Sequence, residues 1–214
     1  MTEESKIQAA SQGHGPLWQR DYYAQTATCA STPEALISMI RADFPAFSPA
    51  ELAAFSNEKS TPLAVGDEMK VFIQGYGECG VRVVHINARS LTLRTLQGHF
   101  EAGRITFGAY YQNGKLCFRI RSRARSTDRL RHVGYQLIGK KLQKQTWRIF
   151  IERVVEKSGC EMIGRVQTRT RTARSTLADL GELDVPTFIA RDKVAALETP
   201  SFETPSFETP TAAV

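Results

Sequence analysis

Two hydrophobic periods meet in this chain, and the place where one gives way to the other limits what it can fold into. From Pro62 to about Arg125 apolar residues recur at every second position, which is the spacing of strands with one buried face. KLCFRIRSRAR shows it most cleanly, with Leu116, Phe118 and Ile120 on one face and Cys117, Arg119, Arg121 and Arg123 on the other. Asn113-Gly114, just before it, is the strongest short-range hairpin signal a sequence offers. From about Val133 to Lys157 the period becomes helical. Such a helix, of about 25 residues, would run ~37 Å. The chain is therefore expected to build an antiparallel sheet with one dry face, followed by a helix long enough to cover that face.

The segments before and inside the sheet fill in the order. RDYYAQTATC (residues 20–29) has strand composition. Thr32-Pro33-Glu34 reads as a helix start, with a capping Thr, Pro in the first turn and an acid at the positive end of the dipole. Ser48-Pro49-Ala50-Glu51 reads as a capping box opening a second helix, with Leu52 and Phe55 as its apolar contacts. MKVFIQ and CGVRVVHINA flank the turn GYGE. SLTLRTL, the glycine-bounded turn GHFEAG and RITFGAYY follow. On the long helix, Tyr135, Ile138, Leu142, Ile149 and Arg153 share one face, while Leu137, Trp147, Ile151 and Val155 lie nearer the basic one. The expected class is α+β: a curved antiparallel sheet wrapped around a long C-terminal helix, with two short helices after the first strand. A curled sheet closed by a straight helix leaves a cavity of roughly a few hundred Å³ between them.

At 214 residues, with 42% hydrophobic content, the chain suits one good-sized domain. Expected boundaries are a flexible N-terminus over 1–16, a helix-grip domain over 17–160, a C-terminal extension over 161–197 and a disordered tail over 198–214. In the tail, SFETP repeats place Pro at every fifth position and offer little apolar surface to offset ordering entropy. Cys29, Cys79, Cys117 and Cys160 lie far apart, and MTEESKIQAA lacks a basic n-region and an apolar core. The expectation is a cytoplasmic protein with reduced, unmetallated thiols and no membrane span. Net charge is +6, unevenly placed: Lys115 to Arg148 holds eleven Lys/Arg against the single acid Asp128. RVQTRTRTARST adds Arg165, Arg169, Arg171 and Arg174. Blocks of this kind favour anionic partners without naming one.

Three stretches carry a resemblance. The turn TLQGHFEAG matches a family pattern Thr-Leu-Pro-Gly-His-Pro-Glu-x-Gly, the strand FRIRSRARS ends similarly, and a basic helix closes near Trp147. Over about Val65 to Phe150 the chain resembles an uncharacterised domain-of-unknown-function family within the START and pollen-allergen-like helix-grip superfamily (SRPBCC). Gln97 and Phe100 stand where that family has prolines, and Ala124 and Ser126 replace its Ser-Arg-Pro. Its N-terminal Tyr-x-x-x-Gly-Ala-Thr motif is not found, so a site built on that motif does not carry over. The resemblance implies a helix-grip fold and a pocket, without an activity.

Three functions are compatible with these residues. The first, and favoured, is a module binding a small amphipathic or hydrophobic ligand between sheet and helix, lined by Phe72, Phe107, Tyr111, Phe118, Tyr135, Ile138 and Leu142, with hydroxyls from Tyr111 and Tyr135. The second is a cyclase- or hydratase-like enzyme using the same pocket, with His99, Glu101 or a pocket tyrosine as acid or base. A solvated turn is the more ordinary reading of that pair. The third is nonspecific binding of nucleic acid or an anionic membrane through Arg119, Arg121, Arg123 and Arg125. No nucleophile elbow, phosphate loop, dinucleotide fingerprint or metal-ligand spacing is present, so no cofactor is called for. GYGECG lies between two strands rather than at a helix start and does not qualify as a dinucleotide site. Oligomeric state is not legible.

Overall fold

The computed structural model describes residues 7–27, 29–57, 62–127 and 139–173. Tyr135, Ile138, His132, Arg174 and the SFETP repeats lie outside the described residues.

After a 3-10 turn at Ala10–Gln12 come β1 (His14–Gln25), α1 (Pro33–Ala42) and the single turn α2 (Phe44–Phe47). Next are β2 (Ala53–Asn57), β3 (Glu68–Ile73), β4 (Gly77–Asn87), β5 (Ser90–Thr95), β6 (Glu101–Gln112) and β7 (Lys115–Ser126). The chain then forms α3 (Gly139–Lys157) and β8 (Gln167–Thr172). Eight strands make one sheet in the order β2-β3-β4-β5-β6-β7-β1-β8. Every pairing is antiparallel, so β1 closes on β7 after the meander and β8 adds an edge beyond it.

The local signals act where their chemistry dictates. The Thr32 side chain accepts a hydrogen bond from the Ala35 N–H at 3.1 Å, with Pro33 opening α1. Asn113 and Gly114 both take positive φ, 52° and 74°, as a tight turn between β6 and β7 requires. The alternation in β7 holds: Phe118 and Ile120 are 1% and 0% exposed in the core, while Arg119 and Arg121 take the outer face.

Two local readings are corrected. Ser48 does not open a helix. It ends α2, and its hydroxyl donates to the Ala53 carbonyl at 2.6 Å, turning the chain into β2. The helix forms one turn earlier, because Phe44 and Phe47 can both bury there, at 0% and 1% exposure, whereas Ala53 to Asn57 gain a full ladder against β3. The second correction concerns Cys29 and Cys160, which form a disulfide with Cα atoms 4.6 Å apart. They are 131 residues apart in sequence, and only the packing of the segment after β1 against the end of α3 brings them together. Cys79 and Cys117 are free thiols, and burial pushes the Cys79 thiol up to about 12.

The core lies between the inner face of the sheet and the helices. Phe44, Phe107, Phe150 and Trp147 form its centre, with ring centroids 5.2 to 5.9 Å apart at tilted or edge-on angles. On α3 the buried apolar side chains are Trp147, Phe150, Ile151, Val154 and Val155. The helix therefore turns toward the sheet the face bearing Trp147 and Ile151. Arg153, placed on the opposite stripe by periodicity, reaches back to donate to the Ser48 carbonyl at 2.7 Å. Among the described residues no helix is long and apolar enough to cross a membrane.

Candidate ligand cavity between sheet and helix

The aromatic cluster fills one part of the space under α3, and the rest is left to smaller and more polar residues. Where β6 begins, its inner face carries Glu101, Gly103 and Ile105 opposite Ser126, Ala124 and Ser122 of β7. Gly103 sits so close to β7 that a Cβ would lie 2.1 Å from the Arg123 carbonyl oxygen and 2.7 Å from the Ala124 Cα. No side chain fits there. Its N–H is held by the Thr95 hydroxyl at 3.0 Å. Above this thin patch the first half of α3 contributes Leu142, Gln143, Thr146 and Trp147. The result is a cavity of about 80 Å³, walled by apolar groups such as Phe55, Val71, Ile105 and Leu142. A single water needs about 10–15 Å³ on this measure. The cavity is smaller than a curled sheet under a straight helix suggests, because Phe44, Phe107 and Phe150 occupy the remaining volume.

Polar groups gather at one end. The Glu101 carboxylate accepts from Arg20 Nη1 at 3.0 Å through Oε1 and from Gln143 Nε2 at 3.1 Å through Oε2. The Arg20 and Glu101 side chains are only 4% and 8% exposed, so each is compensated chiefly by the other. His99 is 7% exposed, and its Nδ1 accepts the Glu101 N–H at 3.0 Å. Burial pulls the imidazole down to about 4 despite the opposing charge of Glu101. At neutral pH the ring is uncharged, with its proton on Nε2. It stacks on Phe100, and Phe100 stacks on Tyr76, each at 4.5 Å between centroids. Burial, and secondarily Glu101, raise the Tyr76 hydroxyl.

Two cavity-lining groups have buried polar atoms without a hydrogen-bond partner among the described residues: Gln143 Oε1, an acceptor, and Trp147 Nε1–H, a donor. They lie four residues apart on α3, hence on the same side of the helix.

The expected ligand-lining residues separate. Leu142 lines the cavity. Phe107 and Phe118 are fully buried in the packed core and do not line it. Phe72 is 57% exposed, because the inward positions of β3 are Met69 and Val71 and parity sends Phe72 outward. Tyr111 is 53% exposed at the far end of β6, beyond the cover of the helices, and brings no hydroxyl to the cavity. His99 and Glu101 come together inside it rather than in a solvated turn. His14 is exposed, and His85 lies in β4 with Nε2 3.4 Å from Asn87 Nδ2. Arg119, Arg121 and Arg123 lie on the outer face with partners: Arg119 Nη2 donates to Tyr110 Oη at 2.6 Å, Arg121 Nε to Asp21 Oδ1 at 2.6 Å, and Arg123 Nε to Gln19 Oε1 at 2.9 Å. Arg125, paired with Ala102, shares that face.

Sequence reasoning missed Arg20, Gln143, Thr146 and Trp147. Arg20 had a readable signal, since it alternates with Tyr22 and Ala24 on the apolar side of β1, where a charge needs a buried partner. Among the described residues no group of three His, Cys, Asp or Glu could hold a metal ion.

No family model and no curated protein matches the chain. Solved structures match at low identity. Norcoclaurine synthase from Thalictrum flavum, in complex with dopamine and hydroxybenzaldehyde, is 10% identical, covering 67% of this chain and 94% of its own, at a TM-score of 0.48. Major latex-like protein 151 from Panax ginseng is 12% identical, covering 67% and 97%, at 0.47. A protein from Arthrobacter aurescens is 10% identical, covering 66% and 86%, at 0.46. No ligand or activity passes to this chain at such identities. The fold stands on its own topology: one long strand, two short helices, an antiparallel meander that closes on the first strand, and a helix laid across the inner face. The chain has the helix-grip fold that its resemblance to the START and pollen-allergen-like proteins implied.

Proposed function

We propose that the protein binds a small, largely apolar molecule carrying a hydroxyl, or a group that likewise donates and accepts, in the cavity under α3. The observation that carries this reading is the pair of unpartnered buried atoms, Gln143 Oε1 and Trp147 Nε1–H, in a mostly apolar wall. A buried polar atom left without a partner costs about 1–3 kcal/mol. One ligand hydroxyl placed between the two would accept from Trp147 and donate to Gln143, relieving both. Binding is favoured over catalysis because the two candidate catalytic groups are committed elsewhere. Both Glu101 oxygens are engaged by Arg20 and Gln143, and His99 gives its basic nitrogen to the Glu101 N–H. An imidazole held at about 4 is a weak base at neutral pH.

The test has two arms. Native mass spectrometry of protein purified from its own host should find a retained small molecule. Displacement of an environment-sensitive hydrophobic dye should favour phenols and alcohols over hydrocarbons of the same shape by about tenfold or more, as loss of a buried hydrogen-bond pair requires. Trp147→Phe should narrow that preference without abolishing dye binding. Folded protein that binds no dye and retains no ligand refutes the proposal, as does equal affinity for an alcohol and its hydrocarbon counterpart.

A further inference from the structure

An amide side chain can present either end to a neighbour, and for Gln143 the neighbour decides which. Its Nε2 lies 3.1 Å from Glu101 Oε2, while Glu101 Oε1 accepts from Arg20 Nη1 at 3.0 Å. A carboxylate carries lone pairs and no proton, so it only accepts, and a guanidinium only donates. Gln143 must therefore turn its NH2 toward Glu101 and its carbonyl oxygen away. The reverse orientation would set two acceptors against each other. The oxygen so turned away, Oε1, is buried without a hydrogen-bond partner among the described residues, and so is Trp147 Nε1–H one turn along α3. Both residues line the cavity.

Stability alone gives little reason for this arrangement. The Arg20 and Glu101 side chains are 4% and 8% exposed, and burying a charge pair is costly enough that apolar residues of similar size often serve a fold as well. What the pair does is pass on a direction. Arg20 of β1 holds Glu101 of β6, and Glu101 sets the amide of Gln143 on α3. Thr146, which also lines the cavity from α3, commits its hydroxyl proton to the Leu142 carbonyl at 3.0 Å. Its proton is therefore not spent on Gln143 Oε1.

We infer that Glu101, held by Arg20, is a positioning residue that makes the cavity select ligands bearing a hydrogen-bond donor, alcohols and phenols, over ligands of the same shape that only accept, such as ketones. The inference rests on the cavity being the ligand site proposed above, and it assigns the origin of that site's selectivity. A ligand hydroxyl accepts from Trp147 and donates to Gln143. A ketone oxygen accepts from Trp147 but brings no proton to Gln143 Oε1, which stays buried and unpaired. Glu101→Gln keeps nearly the same shape and reverses this logic. The new amide oxygen stays on Arg20, because a guanidinium accepts nothing, and its NH2 then faces Gln143. Gln143 has to accept from that NH2 and turn its own NH2 into the cavity. Gln143 and Trp147 then present two donors, which suit the two lone pairs of a ketone and leave a hydroxyl proton unpaired.

Heteronuclear NMR titrations of the full chain with cyclohexanol, cyclohexanone and methylenecyclohexane, three molecules of nearly one shape, test this. The readout is the indole N–H resonance of Trp147, assigned by its loss in Trp147→Phe, which places the binding in this cavity. Wild-type protein should bind cyclohexanol about tenfold more tightly than cyclohexanone. In Glu101→Gln cyclohexanone should become the tighter ligand, moving the ratio by about tenfold or more. In Gln143→Met the two should bind about equally, and adding Glu101→Gln to it should move the ratio no further, since the amide that carries the effect is gone. Circular dichroism and a melt confirm that each variant is folded. Equal affinity for alcohol and ketone in the wild type overturns the inference, as does an unchanged ratio in folded Glu101→Gln. If Glu101→Gln does not fold, Gln143→Met, which leaves the ion pair in place, decides: a collapsed ratio supports the inference and an unchanged one overturns it. Wild-type protein that binds none of the three overturns the ligand cavity itself, whereas binding with a ratio indifferent to Glu101 overturns only the role of that residue.

Discussion

Acid should unfold this protein partly through one imidazole, and the size of that effect follows from where His99 sits. In the folded state the ring is 7% exposed, with Nδ1 accepting the Glu101 N–H, and is held at about 4. Unfolded, it returns to about 6.5. Between those two values the unfolded chain binds a proton that the folded one refuses, so stability is present above pH ~6.5 and is lost as pH falls toward 4. The linkage integral gives a loss of roughly 2 kcal/mol from pH ~7 to ~5 and roughly 3 kcal/mol by pH ~4. Other groups titrate in the same window, so the informative quantity is a difference between proteins. His99→Gln keeps a side chain that can accept the Glu101 N–H and cannot ionise. Urea midpoints for both proteins at several pH values between 4 and 7 should show the wild type losing that much more than the variant. Parallel curves for the two proteins would mean that His99 is not buried in neutral form, and the reasoning about the polar end of the cavity would fall with it.

Two further outcomes follow from the fold. Phe118→Ala should cost ~3–5 kcal/mol by opening a hole among fully buried neighbours, whereas Arg121→Ala should cost clearly less because Gln19 still donates to Asp21 at 2.8 Å; a reversed order in denaturant titrations would contradict the assigned faces of β7. The Cys29–Cys160 bridge closes a loop with a separation of 131 residues, for which chain entropy predicts about 5 kcal/mol and measured removals give about 2–5. Cys29→Ser, or a strong reductant, should therefore lower Tm by at least about 4 °C, and an unchanged Tm would show that the two thiols are not bonded in the folded protein.

The sheet and its long helix were legible in the sequence because their signals are local. Strict alternation in β7 fixes which residues face the core, Asn113-Gly114 sets the register of the β6–β7 hairpin, and Thr32-Pro33-Glu34 starts α1. The outer arginines of β7 were visible for the same reason. Short elements were misread, because Ser48 to Phe55 carries a helix-start pattern that the pairing of β2 with β3 overrides. The buried pair of Arg20 and Glu101 exists only once β1 and β6 share one sheet, since the two residues are 81 apart in sequence. The same holds for the cavity. Phe107 and Phe118 were correctly placed facing inward, yet nothing in a one-dimensional pattern says which inward residues pack solidly and which line a void. That depends on α2 delivering Phe44 against Phe107 and Phe150, and on the rotation of α3 that brings Gln143 onto Glu101 and Trp147 against Phe107. Facing and register are set by the chain's own periodicity. The fit of side chains from distant segments, which decides cavity, disulfide and buried ion pair alike, is set only when those segments meet.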